Sequence, residues 1–417
     1  MQGAKILLGR KLRNPMKIRL WQKVIIGMVL GVLFGLFFKP YTAYIEPVGI
    51  VFLNMIKMVI VPLVFFAMLN GITSVNDAGT FGRLGGRALL IYMSTSTFAV
   101  LIGIIFANVF QPGAGLTIDL SHSVKHQDSG KLLKDLFINL IPTNPIKAMA
   151  DGNILQVVVF ALFTGFALIL IGEKGREVKK LIFSCTHLVF KMIQLVIQLT
   201  PYGVFAIISC VIAQYGIEVI IHLGKFICVA SGAFLVQYIL FGVMLCVFAK
   251  INPIPFFRKM SNTQSLAFAT ASSKATVATS ITELRKIGVS KESASFVLPL
   301  GAAINMDGSA IYLAICAIFS AQIFGIELTL SHYIILMFTT TIGAMGAGAS
   351  PGGSIIMMSM VLSSIGVPLE GMGVILGIDR LVDMLRTTVN VTGDCTVTLI
   401  VDKMNGTFDK KAYYSKV

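Results

Sequence analysis

Residues 371–396, GMGVILGIDRLVDMLRTTVNVTGDCT, gather charged and hydrogen-bonding side chains onto one helical face. With Asp383 at zero and about 100° per residue, Asp379, Arg386, Thr387, Asn390 and Asp394 fall at roughly −40°, −60°, +40°, −20° and +20°. One stripe about 100° wide therefore carries three carboxylates, a guanidinium, a hydroxyl and an amide. Ile378, Leu381, Val382, Leu385, Val389 and Val391 make the other side apolar. This is an amphipathic helix with its polar side turned inward. Whether inward means the core of a water-soluble protein or of a membrane protein follows from composition.

Of 417 residues, 56% are hydrophobic and 13% charged, and the mean hydropathy is +0.85. Soluble domains carry roughly 25% charged residues, so the composition is that of an integral membrane protein. Uncharged runs long enough to cross a hydrocarbon core of about 30 Å occur at 88–118, 154–172, 192–217 and 226–249. Shorter or singly interrupted candidates are 24–38, 48–72 around Lys57, and 293–322 around Asp307. The first apolar stretch ends in FFKPYTAYIE, without a small-residue cleavage pattern, and reads as a span.

The net charge of +15 is placed for a membrane and not for nucleic acid. Lys5, Arg10, Lys11, Arg13, Lys17, Arg19 and Lys23 precede the first span, and Lys403, Lys410, Lys411 and Lys416 follow the last. The positive-inside rule then puts both termini in the cytoplasm, so the number of crossings is even. The cysteines Cys185, Cys210, Cys228, Cys246, Cys316 and Cys395 stand singly in or beside apolar segments and read as small hydrophobes. His122 and His126 have helical metal-ligand spacing but sit in a Ser/Asp/Gly loop.

Taken in order, the basic connections NDAGTFGRLGGR, GEKGREVKK and KINPIPFFRK alternate correctly as cytoplasmic loops. The long segment 111–153 and the turn AQYGIEVIIHLGK fall outside, so six spans return the chain to the cytoplasm at Lys250. Residues 261–282, SNTQSLAFATASSKATVATSIT, are then too rich in Ser and Thr to face lipid. A re-entrant hairpin with SSKAT at its tip, entering and leaving on the cytoplasmic side, satisfies both polarity and topology. Span seven is interrupted by Asn305, Asp307 and Gly308, which predict an unwound segment lined by carbonyls. Residues 333–369 are uncharged but broken by GAMGAGASPGGS, predicting a second hairpin that enters from outside, with its tip at 350–354. Hairpin, broken span, hairpin and polar helix form the pattern of an inverted repeat whose discontinuous helices meet around a substrate and its coupling ion. The fold class is thus an all-α polytopic membrane protein with eight transmembrane helices and two re-entrant hairpins.

Arg386 offers a planar fork suited to a carboxylate, and Asp383, one turn away, suits an ammonium group. Hairpin tips present backbone N–H groups that suit a second carboxylate. Aspartate or glutamate meets all three. Asp307, Asp394, Asn305, Asn390 and exposed carbonyls remain as hard oxygen ligands for Na⁺, and the carboxylates are equally able to carry protons. A purely structural alternative makes Asp383 and Arg386 an i, i+3 ion pair, and another bonds the hydroxyls of Tyr92, Thr95 and Ser96 back to their own helix.

The motifs LPLGAAINMDGSAIY (299–313), SSKAT, GASPGGS and GIDRLVDMLRTTVNVTGD resemble the dicarboxylate/amino acid:cation symporter family of glutamate transporters, from span two to Asp402. The resemblance implies a homotrimer, with spans one, two, four and five as a fixed scaffold. Spans three and six to eight, with both hairpins, would form a moving transport domain. On this division, 1–23 is a cytoplasmic basic segment, 24–81 and 112–217 are scaffold, 82–111 and 218–402 are transport domain, and 403–417 is a cytoplasmic tail. By motif position the substrate would contact Ser272, Ser273, Ser309, the backbone near Ser350 and Ser354, Asp383, Arg386, Thr387 and Asn390. One sodium would lie among Gly301, Asn305, Asn390 and Asp394, and another at the carbonyls of Ala303, Ala344, Met345 and Ala347. A third would use Tyr92, Thr95, Ser96, Asn305 and Asp307. No prosthetic group is implied. The chain departs from similar proteins at Lys274, where they carry a small polar residue. It also departs at Ala271 and Met384, where many carry a second arginine, a role left to Lys274 or Arg380.

Members specific for C4-dicarboxylates need no aspartate for an amino group, and neutral amino-acid members lack the equivalent of Arg386. Both residues are present, so the expected function is symport of L-aspartate or L-glutamate with Na⁺ across the inner membrane. Proton coupling or C4-dicarboxylate transport is the alternative. An intramembrane aspartyl protease is excluded because its GxGD signature is absent. A passive anion channel is separable from a symporter by uptake against a gradient.

Overall fold

A chain this apolar has to satisfy its backbone N–H and C=O groups within its own segments once it lies in hydrocarbon. The computed structural model describes residues 20–73, 83–116, 141–347, 353–369 and 371–415, and among them the chain is helical with no strand. The first half comprises α1 (Leu20–Phe37), α2 (Thr42–Thr73), α3 (Arg83–Phe110), α4 (Pro145–Ala150), α5 (Ile154–Leu170), α6 (Arg176–Gln198), α7 (Thr200–Tyr215) and α8 (Glu218–Met244). After a π turn over Leu245–Ala249 come α9 (Pro253–Lys259), α10 (Ser261–Thr270), α11 (Ser273–Lys286), α12 (Lys291–Ile304) and α13 (Asp307–Ile323). The chain closes with α14 (Leu330–Ala347), α15 (Gly353–Ser364), α16 (Gly371–Met404) and α17 (Lys410–Tyr414). Among the described residues, five helical stretches are long and apolar enough to cross a membrane.

Two groups of helices pack mainly within themselves. In one, α1 lies along α7, and α2 lies against α5, α6 and α7. Gly27, Gly31 and Gly35 recur once per turn on α1, and a Cβ on them would come within 2.4, 2.8 and 2.6 Å of the carbonyl oxygens of Pro201, Phe205 and Ser209. Small residues at this spacing let two backbones touch where no hydrophobic force drives helices together. In the other group α13 is the axis, buried along almost its whole length and packed on α3, α8, α14, α15 and α16. The groups meet where Gly373 and Gly377 of α16 face Ile207, Val204 and Met28.

Three sequence expectations are revised by the structure. The run 192–217 is not one span: α6 starts at Arg176 and α7 at Thr200, with Pro201 in the first turn of α7. A proline has no N–H to extend the ladder of the preceding helix but is accommodated in a first turn, so the chain re-starts there. The Gly-rich run does not break helix from its first residue, since α14 continues through Gly343 to Ala347. Its middle, including Ser350, lies outside the described residues, as do His122 and His126. Much of the apolar back of the polar helix is also buried in protein, for α16 is enclosed from Gly371 to Ile378 and again from Val389 to Asp402, while Leu381 between them stays exposed. The basic tail turns back as α17, where Lys259 Nζ donates to the carbonyls of Tyr413 and Ser415 at 2.8 and 3.0 Å.

Asp402 joins this end of the molecule to α12. It is fully buried and accepts from the Ser290 N–H at 3.0 Å, from Ser290 Oγ at 2.6 Å and from Thr407 Oγ1. Ser290 is itself the N-cap of α12. Asp402→Ala would strand these donors and lower stability by about 3 kcal/mol. A fall in the apparent Tm of the detergent-purified protein, smaller for Asp402→Asn, checks this.

Candidate functional site

The break in span seven is two residues long. α12 ends at Ile304, Asn305 is extended (φ −102°, ψ 111°), and α13 starts at Asp307. A helix start leaves N–H groups without intrahelical partners. Here Asn390 of α16 supplies one: its Oδ1 accepts from Gly308 N–H at 2.7 Å and Ser309 N–H at 3.4 Å, while its Nδ2 donates to Ser309 Oγ at 3.3 Å. Gly308 permits this approach, because a Cβ there would lie 2.5 Å from the Arg386 carbonyl oxygen.

Around the break lies a buried cluster of oxygen ligands drawn from four helices. Asn305 Nδ2 donates to Asp394 Oδ1 at 3.1 Å, and Asn305 Oδ1 receives Thr95 Oγ1 and Ser96 Oγ, each at 3.4 Å. Ser96 Oγ also donates to Asp307 Oδ1 at 2.9 Å. Thr95 bonds back to the Tyr92 carbonyl at 3.0 Å as well, so the structural reading of that hydroxyl and its reach into the cluster both hold. Tyr92 is buried and donates to the Val297 carbonyl at 3.1 Å. Gly301 keeps the cluster open, since a Cβ there would lie 2.4 Å from the Tyr92 hydroxyl and 2.8 Å from Asp394 Oδ1. Asp307 and Asp394 are 0% and 1% exposed, and among the described residues neither has an ion-pair partner. Two carboxylates so placed call for a cation or for protons.

Two turns earlier on α16 the stripe is ionic. Arg386 Nη2 donates to Asp383 Oδ1, so the i, i+3 pair of the structural alternative is present. It does not exhaust the fork. Arg386 Nη1 is buried, lies 3.7 Å from Asp379 Oδ1, and finds no hydrogen-bond acceptor among the described residues. The guanidinium sits over the Tyr312 ring, 4.9 Å from its centroid. Asp379 accepts from the Tyr312 hydroxyl at 2.8 Å and from Ser354 Oγ of α15 at 3.4 Å. Asp383 Oδ2 accepts from Arg380 Nη1 at 3.1 Å, and Thr387 Oγ1 lies 3.5 Å from Asp383 Oδ1.

The other expected site residues occupy less direct positions. Ser272 caps α11, its Oγ accepting from Ala275 N–H at 3.4 Å after Ala271 turns the chain with φ +47°. Ser273 begins that helix, and α10 and α11 both pack on α16. Ala303 stands on the last turn of α12, and Ala344, Met345 and Ala347 stand at the end of α14, which packs against α12. Lys274 is exposed, and among the described residues Arg380 reaches Asp383 from outside the Arg386 pair.

Two participants, Gln237 and Tyr312, escape the sequence reading, whereas Arg380 is one of the two cations it names. Gln237 of α8 donates to Asp307 Oδ2 at 3.3 Å, and a lone glutamine in an apolar span has no periodic signal. Tyr312 lies one turn beyond Ser309, a signal that was available. Arg380 falls at about +60° on the wheel, just beyond the edge of the stripe.

Residues 20–404 match the sodium:dicarboxylate symporter family. The chain is 33% identical over 407 residues to the proton/sodium-glutamate symport protein of Bacillus subtilis strain 168, with 94% of each chain covered. It is 33% identical over 413 residues to the proton/glutamate-aspartate symporter of Escherichia coli K12, again with 94% of each covered. It is 32% identical over 416 residues to the C4-dicarboxylate transport protein of Rhizobium leguminosarum, covering 96% of this chain and 92% of the relative. These relatives are transport proteins and not enzymes. With a helix broken at buried carboxylates and a match over nearly its whole length, the chain belongs to the sodium:dicarboxylate symporter family.

Proposed function

We propose that this chain is a secondary active symporter that takes up L-aspartate or L-glutamate together with Na⁺. The observation that carries the substrate half is the Arg386 fork, one arm hydrogen-bonded to Asp383 and the other buried with Asp379 Oδ1 at 3.7 Å but no hydrogen-bond acceptor among the described residues. A substrate carboxylate completes that arm and a substrate ammonium competes for Asp383. Thr387, Asn390, Ser309, Ser354, Ser272, Ser273 and the backbone near Ser350 are the remaining substrate contacts. The two buried carboxylates, which have no ion-pair partner among the described residues, support the cation half. Na⁺ is assigned to Gly301, Asn305, Asn390 and Asp394; to Tyr92, Thr95, Ser96, Asn305 and Asp307; and to the carbonyls of Ala303, Ala344, Met345 and Ala347.

The transport cycle is alternating access of the elevator kind in a homotrimer. α1, α2, α5, α6 and α7 serve as scaffold. α3 and α8 to α16 serve as the moving body, whose small residues Gly373 and Gly377 face the scaffold. The chain crosses the inner membrane eight times, with α10–α11 and α14–α15 as re-entrant hairpins and both termini in the cytoplasm. The second reading is a proton-coupled glutamate/aspartate or C4-dicarboxylate symporter. It rests on the same carboxylates, which bind protons as readily, and on the names of the relatives.

Calorimetric titration of L-aspartate into the purified protein tests the coupling. Its affinity is expected to rise with Na⁺ at constant ionic strength, and Na⁺ affinity to rise by the same factor when aspartate is present. Indifference to Na⁺ together with tighter binding in acid favours the proton-coupled reading. Indifference to both refutes symport.

A further inference from the structure

Both oxygens of Asp383 are engaged by guanidinium groups of its own helix. Oδ1 takes Arg386 Nη2, with Thr387 nearby, and Oδ2 takes Arg380 Nη1 at 3.1 Å. A ligand ammonium directed at Asp383 therefore meets a carboxylate already compensated twice. The two arginines are not equally held. The Arg380 side chain is 36% exposed and that of Arg386 only 6%, so Arg380 is the one that water can receive when it is displaced.

We propose that Arg380 is a specificity-determining residue, competing with a substrate's ammonium group for Asp383 and so reducing the advantage of an amino acid over a diacid that lacks the amino group. The proposal rests on Asp383 and Arg386 being the ammonium and carboxylate anchors proposed above. With Arg380 in place, Asp379, Asp383, Arg380 and Arg386 sum to zero charge, and a diacid binds without leaving Asp383 dependent on a ligand cation. Without Arg380, the three charged groups that remain sum to one negative charge. A diacid adds two more negative charges to it, whereas aspartate brings the same two carboxylates together with an ammonium that replaces the missing cation.

The test is competition in proteoliposomes. Succinate and L-aspartate, which differ by the amino group, are compared as inhibitors of labelled acid uptake by the parent, Arg380→Gln, Arg380→Lys and, as a control, Arg285→Gln at the distant exposed end of α11. The ratio of inhibition constants, succinate over aspartate, is expected to rise about tenfold in Arg380→Gln, the worth of one charge-assisted hydrogen bond. It should rise less in Arg380→Lys and stay unchanged in Arg285→Gln. An unchanged ratio in Arg380→Gln, with acid uptake intact in the parent, overturns the role of Arg380 alone. If Arg380→Gln is recovered unfolded, Arg380→Lys decides: an increased ratio supports the assignment and an unchanged one overturns it. A parent that takes up no acid overturns the functional reading, and this assignment with it.

Discussion

Arg386→Ala should abolish uptake of acidic substrates while leaving binding of small neutral amino acids detectable. Breaking a buried charge pair costs about 3–5 kcal/mol, which corresponds to a loss in affinity for acids of roughly three orders of magnitude. The rest of the stripe is able to keep its shape, because Asp383 retains Arg380 and Asp379 retains Tyr312 and Ser354. Loss of fold is therefore not the expected cause. Arg386→Lys keeps a point charge but not the fork, and should fall between parent and alanine variant. Competition by unlabelled acidic and neutral amino acids separates the cases. An equal loss of both classes would show that Arg386 holds the helices together and does not select the ligand.

Asp394→Asn should raise the Na⁺ concentration needed for half-maximal uptake by about a hundredfold, since it removes a full charge from a water-poor cluster. The amide keeps the shape of the side chain, and its oxygen is still able to accept from Asn305 Nδ2, so packing around Gly301 and Gly393 is preserved. Uptake measured against Na⁺ at fixed pH, and against pH at fixed Na⁺, reads the effect. A variant that keeps the parent's Na⁺ dependence but loses its pH dependence would move the assignment from sodium to protons.

The features legible in the sequence are those with a local physical signature. A charged residue beside glycine in an apolar run has few outcomes other than a broken helix, and the break came at Asn305 and Met306. The Ser/Thr-rich segment turned at Ala271 and Ser272, beside the expected tip, because a polar run in an apolar chain must be enclosed by protein. The stripe of α16 needed only helical periodicity. What stayed hidden depends on choices between equally near partners. Arg380 and Arg386 are both three residues from Asp383, and only rotamers in the packed protein decide how its two oxygens are shared. Tyr312 meets Asp379 across 67 residues of sequence, and Gln237 meets Asp307 across 70, distances at which no periodicity speaks. The restart at Thr200 is different, for Pro201 is a local signal inside an otherwise uninterrupted uncharged run.

In the proposed cycle the buried acids of α13 and α16 are loaded by a cation while Arg386 holds an acid. The most direct measurement is accumulation of radiolabelled L-aspartate in proteoliposomes under an inward Na⁺ gradient alone, an inward proton gradient alone, and neither. Concentrative uptake driven by the Na⁺ gradient and absent without any gradient is the predicted result. Entry that only equilibrates, or no entry of L-aspartate under either gradient, would contradict it.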